Sequence, residues 1–259
     1  MTTAEDLTRE IQDIGYGREF GEFYDRLFPN DAYALATARE LASWHPGGGL
    51  RTLELGVGTG RIAVPLSADV GDVVGVDSSP EMLERLRDRL ADAPAPVTPV
   101  HGDIRTYTDT ERYGLVYCVC ATLSILLDPA DQRAAIRRAA DRLAPGGTLV
   151  VETTNKTGVL RMHEGRQRAS FFTPYAEPGT GLLTCSTLSP DEPVWQASQI
   201  WFEGGTSRVG TETSRLTTPE EVDGYAADAG LKQVSLRADW LGNAYTEAAP
   251  MFIARYTRP

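Results

Sequence analysis

From Arg51 to Thr154 the chain alternates two hydrophobic patterns. RTLELG, DVVGVD, VTPVHGD, GLVYCVCATLSILL and TLVVETT are apolar runs bounded by glycine, aspartate or proline, and they predict five strands. The stretches between them carry helical spacing. One predicted helix runs from about Arg61 to Ser67, a second is SSPEMLERLRDRLA with Pro80 in its first turn, and a third is DPADQRAAIRRAADRLAPGG, stopped by Pro145-Gly146-Gly147. Apolar strands separated by amphipathic helices predict an α/β fold with a parallel sheet covered on both faces.

The pattern differs on either side of this block. Before it, Leu35, Ala38, Leu41 and Ala42 recur at helical spacing behind Asn30 and Asp31, either of which suits a helix cap, and the segment ends at His45-Pro-Gly-Gly-Gly. After it, LLTCSTLS, VWQASQIWFE and SRVGTETSRL alternate polar and apolar residues, which predicts an antiparallel meander with one wet face. TPEEVDGYAADAGL then reads as a capped helix, KQVSLRADW as a strand and APMFIARYTRP as a final strand. The expected organisation is one domain over 1–259: a helical lid (1–48), a core (51–154), an inserted β-subdomain (155–216) and a C-terminal part of the core (217–259).

The loop after the first strand, LELGVGTGRIAVPL, places Gly56, Gly58 and Gly60 at alternate positions. A glycine loop between strand and helix suits a nucleotide. A phosphate-cradling P-loop needs Lys-Ser or Lys-Thr after it, and none follows at that spacing. The dinucleotide fingerprint G-x-G-x-x-G needs a third glycine where this chain has Arg61.

Glu54 to Gly60 resembles the first motif of the class I S-adenosylmethionine-dependent methyltransferases, and further matches follow in order. GVDSSPEML (Gly75 to Leu83) resembles the second motif and HGDI (His101 to Ile104) the third. CATLSILL takes the place of the segment after strand four, and LAPGGTLVVE resembles the lead into strand five. The resemblance implies a Rossmann-like seven-stranded methyltransferase sheet with helices on both faces, a helical N-terminal lid and an inserted antiparallel β-meander. It implies S-adenosyl-L-methionine as cofactor, with Gly56, Gly58, Gly60 and Arg61 at its methionine end and Glu54 facing the methionine amine. Asp77 would take the ribose hydroxyls, and its alternative is capping the Pro80 helix. Gly102, Asp103 and Ile104 would meet the adenine, Met82 would offer it an apolar surface, and Cys120 and Ala121 would follow from the segment after strand four. The family often has a bulky apolar residue where this chain has Ser78, so adenine packing must come partly from elsewhere.

Composition narrows the partners. Among 259 residues there are 36 acidic and 25 basic ones, a net charge of −11, which argues against nucleic acid or an anionic membrane. Three cysteines (Cys118, Cys120, Cys185) and three histidines, without a Cys-x-x-Cys pair, argue against structural zinc or a disulfide scaffold, so no metal is expected. If the fourth strand runs on, Cys118 and Cys120 share a face. No apolar leader or membrane-length run is visible, which makes a cytoplasmic location the simplest expectation.

The resulting expectation is methyl transfer by in-line displacement to an N or O of a small-molecule acceptor in natural-product biosynthesis. A cyclase or isomerase on the same fold and a non-catalytic cofactor-binding regulator stay open, as does the oligomeric state. His163 is a candidate general base, with a solvated loop residue in RMHEGRQR as its alternative. Tyr24, in EFYDRLF, resembles the tyrosine that closes over the cofactor in small-molecule methyltransferases, and is a candidate for both catalysis and cofactor contact. Tyr16 and Tyr33 share its segment. In the insert, Tyr175, Trp195, Trp201 and Phe202 either wall a substrate or form local core.

Overall fold

The computed structural model describes residues 11–21, 23–175 and 177–259. The first ten residues of the 1–48 segment lie outside the described residues. The rest of that segment forms two short helices, α1 (Tyr16–Phe20) and α2 (Tyr24–Leu27), and a longer one, α3 (Ala32–Ser43). Asp31 caps α3 by accepting from the amides of Tyr33 and Ala34.

Seven strands form the main sheet. They are β1 (Arg51–Leu55), β2 (Val73–Asp77), β3 (Val97–His101), β4 (Tyr113–Cys118), β5 (Leu143–Thr154), β10 (Lys232–Arg237) and β11 (Met251–Thr257). Their order is β10-β11-β5-β4-β1-β2-β3. The run from β5 to β3 is parallel, and β11 is antiparallel to both its neighbours. The crossovers are α4 (Ala63–Val70), α5 (Pro80–Asp92) and α6 (Pro129–Arg142), and α8 (Pro219–Asp228) precedes β10.

Alternate strand residues feed cores on opposite faces, as the two-residue period of a strand requires. Leu53, Val116, Val151 and Phe252 pack with α6 and α8, while Leu115, Tyr117, Val150 and Ile253 pack with α3 and α4. A third cluster, with Leu83 and Leu86, seats α5.

Three expected boundaries shift. Helix α4 begins at Ala63 because Gly60 closes a turn onto the Val57 carbonyl (2.9 Å), which keeps Arg61 and Ile62 outside the helix. Strand β4 ends at Cys118, because Cys120 and Ala121 take left-handed backbone angles (φ 56° and 61°) that no strand can hold. Cys118 and Cys120 therefore share no strand face. Helix α6 stops at Arg142, and the Pro145-Gly146-Gly147 stretch belongs to the start of β5, where the register against β4 slips.

The segment after β5 holds more than a three-stranded meander. It opens with α7 (Lys156–His163) and continues as a four-stranded antiparallel sheet of β6 (Arg168–Pro174), β7 (Gly181–Leu188), β8 (Val194–Glu203) and β9 (Thr206–Arg215). Its two ends meet, since Asn155 and Thr217 form a parallel bridge. One face of this sheet is buried at Ala197, Trp201, Ser186 and Ser214, whereas Phe172 and Val209 on the other face are exposed.

The buried face receives the N-terminal helices. Phe20, Phe23, Leu27 and Trp201 form one cluster, with Phe23 stacked on Trp201 (6.3 Å, 4° between planes). Gly210 permits this, because a Cβ there would lie 2.4 Å from the Phe20 ring. Trp201 and Tyr175 thus serve as core beneath the lid and do not line the cleft described next.

Candidate active site

The carboxyl ends of β1, β2, β3 and β4 open into one cleft, at the place where strand order reverses between β1 and β4. Measured to its open mouth it holds about 1090 Å³ of empty space.

The glycine loop shapes one wall. Gly56 has φ +83°, and a Cβ there would lie 2.4 Å from the Thr122 side chain. Gly58, at φ +53°, donates its amide to Asp77 Oδ2 at 2.8 Å. Asp77 also accepts the Ser79 amide on Oδ1 (2.9 Å), so its carboxylate is oriented from both sides. Ser79, not Asp77, caps α5, accepting from the Met82 amide (3.3 Å). Burial raises the Asp77 carboxyl above its ordinary value, against the pull of those backbone amides.

Glu54 is buried at the end of β1. The register pairs it with Tyr117 on β4, and the Tyr117 hydroxyl donates to Oε2 at 2.7 Å. Burial pushes the Glu54 carboxyl up to about 8, opposed by the Tyr117 hydrogen bond and the Arg61 charge. Arg61 reaches across the loop to donate to Cys120 Sγ (2.7 Å), while its Nε is buried without a partner among the described residues.

Cys120 sits in the left-handed turn that ends β4, a conformation rare for residues with a side chain. Glu152 on β5 secures it, accepting the Cys120 amide on Oε2 (2.8 Å) and the Trp240 indole on Oε1 (2.7 Å). The Cys120 residue keeps exposed surface towards the cleft, but enclosure pushes its thiol up to about 12 despite Arg61. Sequence reasoning gave Glu152 no role, since its partners come from two other parts of the chain.

At the far end, Asp103 accepts from Arg105 on both oxygens, including Nη2 to Oδ2 at 2.5 Å, and Arg105 continues to Asp131 (2.8 Å). Burial opposes the charge on Asp103, but Arg105 holds its carboxyl below the ordinary range. Met82, Ile104 and Leu126 add apolar lining here, where Ser78 offers little.

The lid and the second sheet roof the cleft. Tyr16 and Tyr24 face into it, with ring centroids 6.2 Å apart. Burial raises both hydroxyls, with Glu212 the largest charge acting on Tyr16 and Cys120 the largest acting on Tyr24. The lid is tied to the core through Asp25, which accepts from Thr59 Oγ1 (2.7 Å) and pairs with Arg89 (2.8 Å). Glu212 and Ser214 enter from β9.

Twelve of the residues expected from sequence line this cleft: Tyr24, Glu54, Gly56, Gly58, Arg61, Asp77, Ser78, Met82, Asp103, Ile104, Cys120 and Ala121. Gly60 does not, because its missing side chain points at Leu86, and Gly102 lies behind, against Val76. His163 is neither in the cleft nor solvated. It ends α7 at 1% exposure, hydrogen-bonded to Ser186 Oγ (2.8 Å) and the Arg166 carbonyl (3.1 Å). Gln12, Ile14, Glu212 and Ser214 line the cleft unforeseen. Only the alternation along SRVGTETSRL, which puts Glu212 and Ser214 on one face, hinted at the last two.

A family profile described as a methyltransferase domain matches residues 52–147, the strand-and-loop block that builds this cleft. Nearly all of the chain also superimposes on the CcbJ methyltransferase from Streptomyces caelestis with a TM-score of 0.83 at 29% identity, covering 94% of this chain and 98% of that one. The chain is an S-adenosylmethionine-dependent methyltransferase. In sequence this methyltransferase is similar to a protein named as a methyltransferase from Geobacillus sp. (strain WCH70), 27% identical over 249 residues, which cover 91% of this chain and 98% of that one. It is also 30% identical over 144 residues to the dTDP-3-amino-3,6-dideoxy-alpha-D-glucopyranose N,N-dimethyltransferase of Streptomyces fradiae. That alignment covers 53% of this chain and 54% of the relative.

Proposed function

We propose that this enzyme moves a methyl group from S-adenosylmethionine to a nitrogen or oxygen of a small natural-product metabolite, using the cleft between the glycine loop and the lid. The observation that carries this reading is the pairing of two opposite charges across the loop, one of them with an unpartnered donor. Arg61 Nε is buried without a partner among the described residues, and Glu54 stands across the loop as a buried carboxyl. An amino acid's carboxylate and ammonium answer both groups at once.

In this reading Arg61 and the loop amides hold the donor's carboxylate, and Glu54 holds its ammonium. Asp77, already oriented by Gly58 and Ser79, receives the ribose hydroxyls. Met82 and Ile104 flank the adenine, whose amino group meets Asp103 on the side where Gln12 now lies at 3.5 Å. Tyr24 closes over the donor from α2. The donor brings an activated methyl, so the chain's task is to orient an acceptor in line and exclude water. The roof of lid and meander favours a small acceptor. His163 plays no part in this reading, because it supports the second sheet away from the cleft.

Calorimetry with S-adenosylhomocysteine and with NAD tests the reading. Binding of the first with no binding of the second is expected. The reverse result overturns it.

A further inference from the structure

Beside the cleft lies a second hollow, formed by the N-terminal segment, the loop after β4 and the end of β9. The two share Gln12, Ile14, Tyr16, Ile125 and Glu212, so one partition separates them. Among the described residues Glu212 is the one carboxylate that lines both. The outer hollow is lined further by Asp13 and Glu19, with Arg18 as its basic residue, already paired to Asp13. Its charge favours a cationic visitor.

Glu212 is built in as well as placed there. Thr184 on β7 stands directly opposite Gln199 on β8, and Glu212 is the diagonal neighbour of Gln199 on β9. The Thr184 hydroxyl donates to Gln199 Oε1 (2.6 Å), which fixes the amide so that its Nε2 donates to Glu212 Oε1 (3.1 Å). Oε2 accepts no hydrogen bond among the described residues. A three-residue relay thus holds one carboxylate oxygen and leaves the other free in the partition.

We propose that Glu212 is the acceptor-binding carboxylate, and that it selects an amine entering through the outer hollow, with the amine nitrogen on Oε2. This rests on the donor reading of the inner cleft. An amine arriving as its ammonium gives a proton to Glu212. Its freed lone pair then bonds the methyl carbon while the carbon–sulfur bond breaks, and that electron pair stays on sulfur as a neutral thioether. The product leaves as the methylammonium, and the proton on Glu212 passes to water in the hollow. Burial raises the Glu212 carboxyl, which suits it to accept the proton. A hydroxyl is a poor fit, because a carboxylate cannot strip a group whose pKa resembles the ~15.7 of water.

The test needs no acceptor. Sinefungin carries an amine at the place of the donor's sulfonium methyl, whereas S-adenosylhomocysteine carries nothing there. Glu54, Asp77 and Arg61 meet both ligands alike and cancel in the ratio of their affinities. Wild type is expected to prefer sinefungin, and Glu212→Gln to reduce that preference about tenfold while S-adenosylhomocysteine affinity stays within twofold. An unchanged ratio overturns the proposal. Should Glu212→Gln also lose S-adenosylhomocysteine, the ratio is read on Gln199→Leu, which keeps the carboxylate but frees its orientation; an unchanged ratio there is equally fatal. If neither ligand binds wild type, the donor reading fails and this one with it.

Discussion

On the β1–β2 side, the cleft wall rests on backbone and strand ends: loop amides, Asp77 at the tip of β2, and Glu54 paired by register with Tyr117. On the lid and β9 side it rests on side chains from segments nearly two hundred residues apart, as where Thr211 donates to Glu19. The first wall is continuous with the main sheet, so deforming it means breaking parallel strands. The second is held by one aromatic cluster and polar contacts such as Thr211 to Glu19, so its opening is expected to leave the sheet intact. The contrast suggests a rigid seat for the methyl donor under a separable roof that chooses the acceptor.

The sharpest way to break that contrast is at the seat. Asp77→Ala removes the proposed ribose acceptor and also the partner of two backbone amides that shape the loop. Hydrogen bonds to a charged group contribute roughly 1.5–3 kcal/mol each, so S-adenosylhomocysteine affinity should fall about a hundredfold. Calorimetry reads it, with circular dichroism as the check on folding. A loss under threefold would remove Asp77 from the donor site.

The roof should respond more mildly and differently. Trp201→Ala deletes the ring on which Phe23 stacks and over which Arg26 lies. Large aromatic deletions cost about 3–5 kcal/mol when the surroundings cannot collapse. That loss should appear in the roof. Amide hydrogen exchange of 16–27 should accelerate and donor affinity drop about tenfold, while exchange in β1 and β4 stays slow. Equal acceleration in both regions would mean that lid and sheet open as one unit.

The same division explains what was legible from sequence. Apolar strands alternating with amphipathic helices, and the glycines at 56, 58 and 60, read directly into the core, because local pattern and final position coincide there. The end of β4 was less visible. Nothing in CVCATLSILL announces that Cys120 and Ala121 turn left-handed, since Glu152, thirty-two residues on, holds that turn through the Cys120 amide. In the insert, KTGVLRMH is too short to display a helical period, and RASFFTP closes a sheet whose buried face only the lid defines. His163 misled for the same reason: its ring is buried by Ser186 and Phe171, from strands that follow it in the chain.

A third prediction sharpens the electrostatics of the seat. Glu54 keeps its proton up to about 8 in the folded protein, and an unfolded glutamate loses it near its ordinary value. Over that interval the folded state binds the extra proton, so stability falls as pH rises and levels off above about 8. The donor's ammonium needs the charged carboxylate, so binding below that pH must expel the proton. S-adenosylhomocysteine affinity should therefore rise roughly fiftyfold from pH 6 to 8 in wild type, as the ionised fraction of Glu54 climbs. In Glu54→Gln both the rise in affinity and the fall in stability should vanish. A wild-type affinity that is flat across this range would place the ammonium elsewhere.

The smallest effect on ligands is expected at His163, and it separates the two regions most cleanly. The imidazole joins α7 to β7 through Ser186 and closes its own turn onto Arg166. His163→Ala leaves the Ser186 hydroxyl buried without that partner and opens a gap beside Phe171. A buried polar group left unpaired costs about 1–3 kcal/mol, enough to lower the melting temperature by several degrees. Affinity for S-adenosylhomocysteine should stay within twofold, because no part of the seat touches the ring. Turnover, once an acceptor is in hand, should fall only as far as the folded fraction falls. If His163→Ala instead kept its melting temperature and lost turnover, the histidine would be acting on the acceptor. The roof would then have to swing far enough to bring α7 to the cleft, and the division between a fixed seat and a passive second sheet would fail.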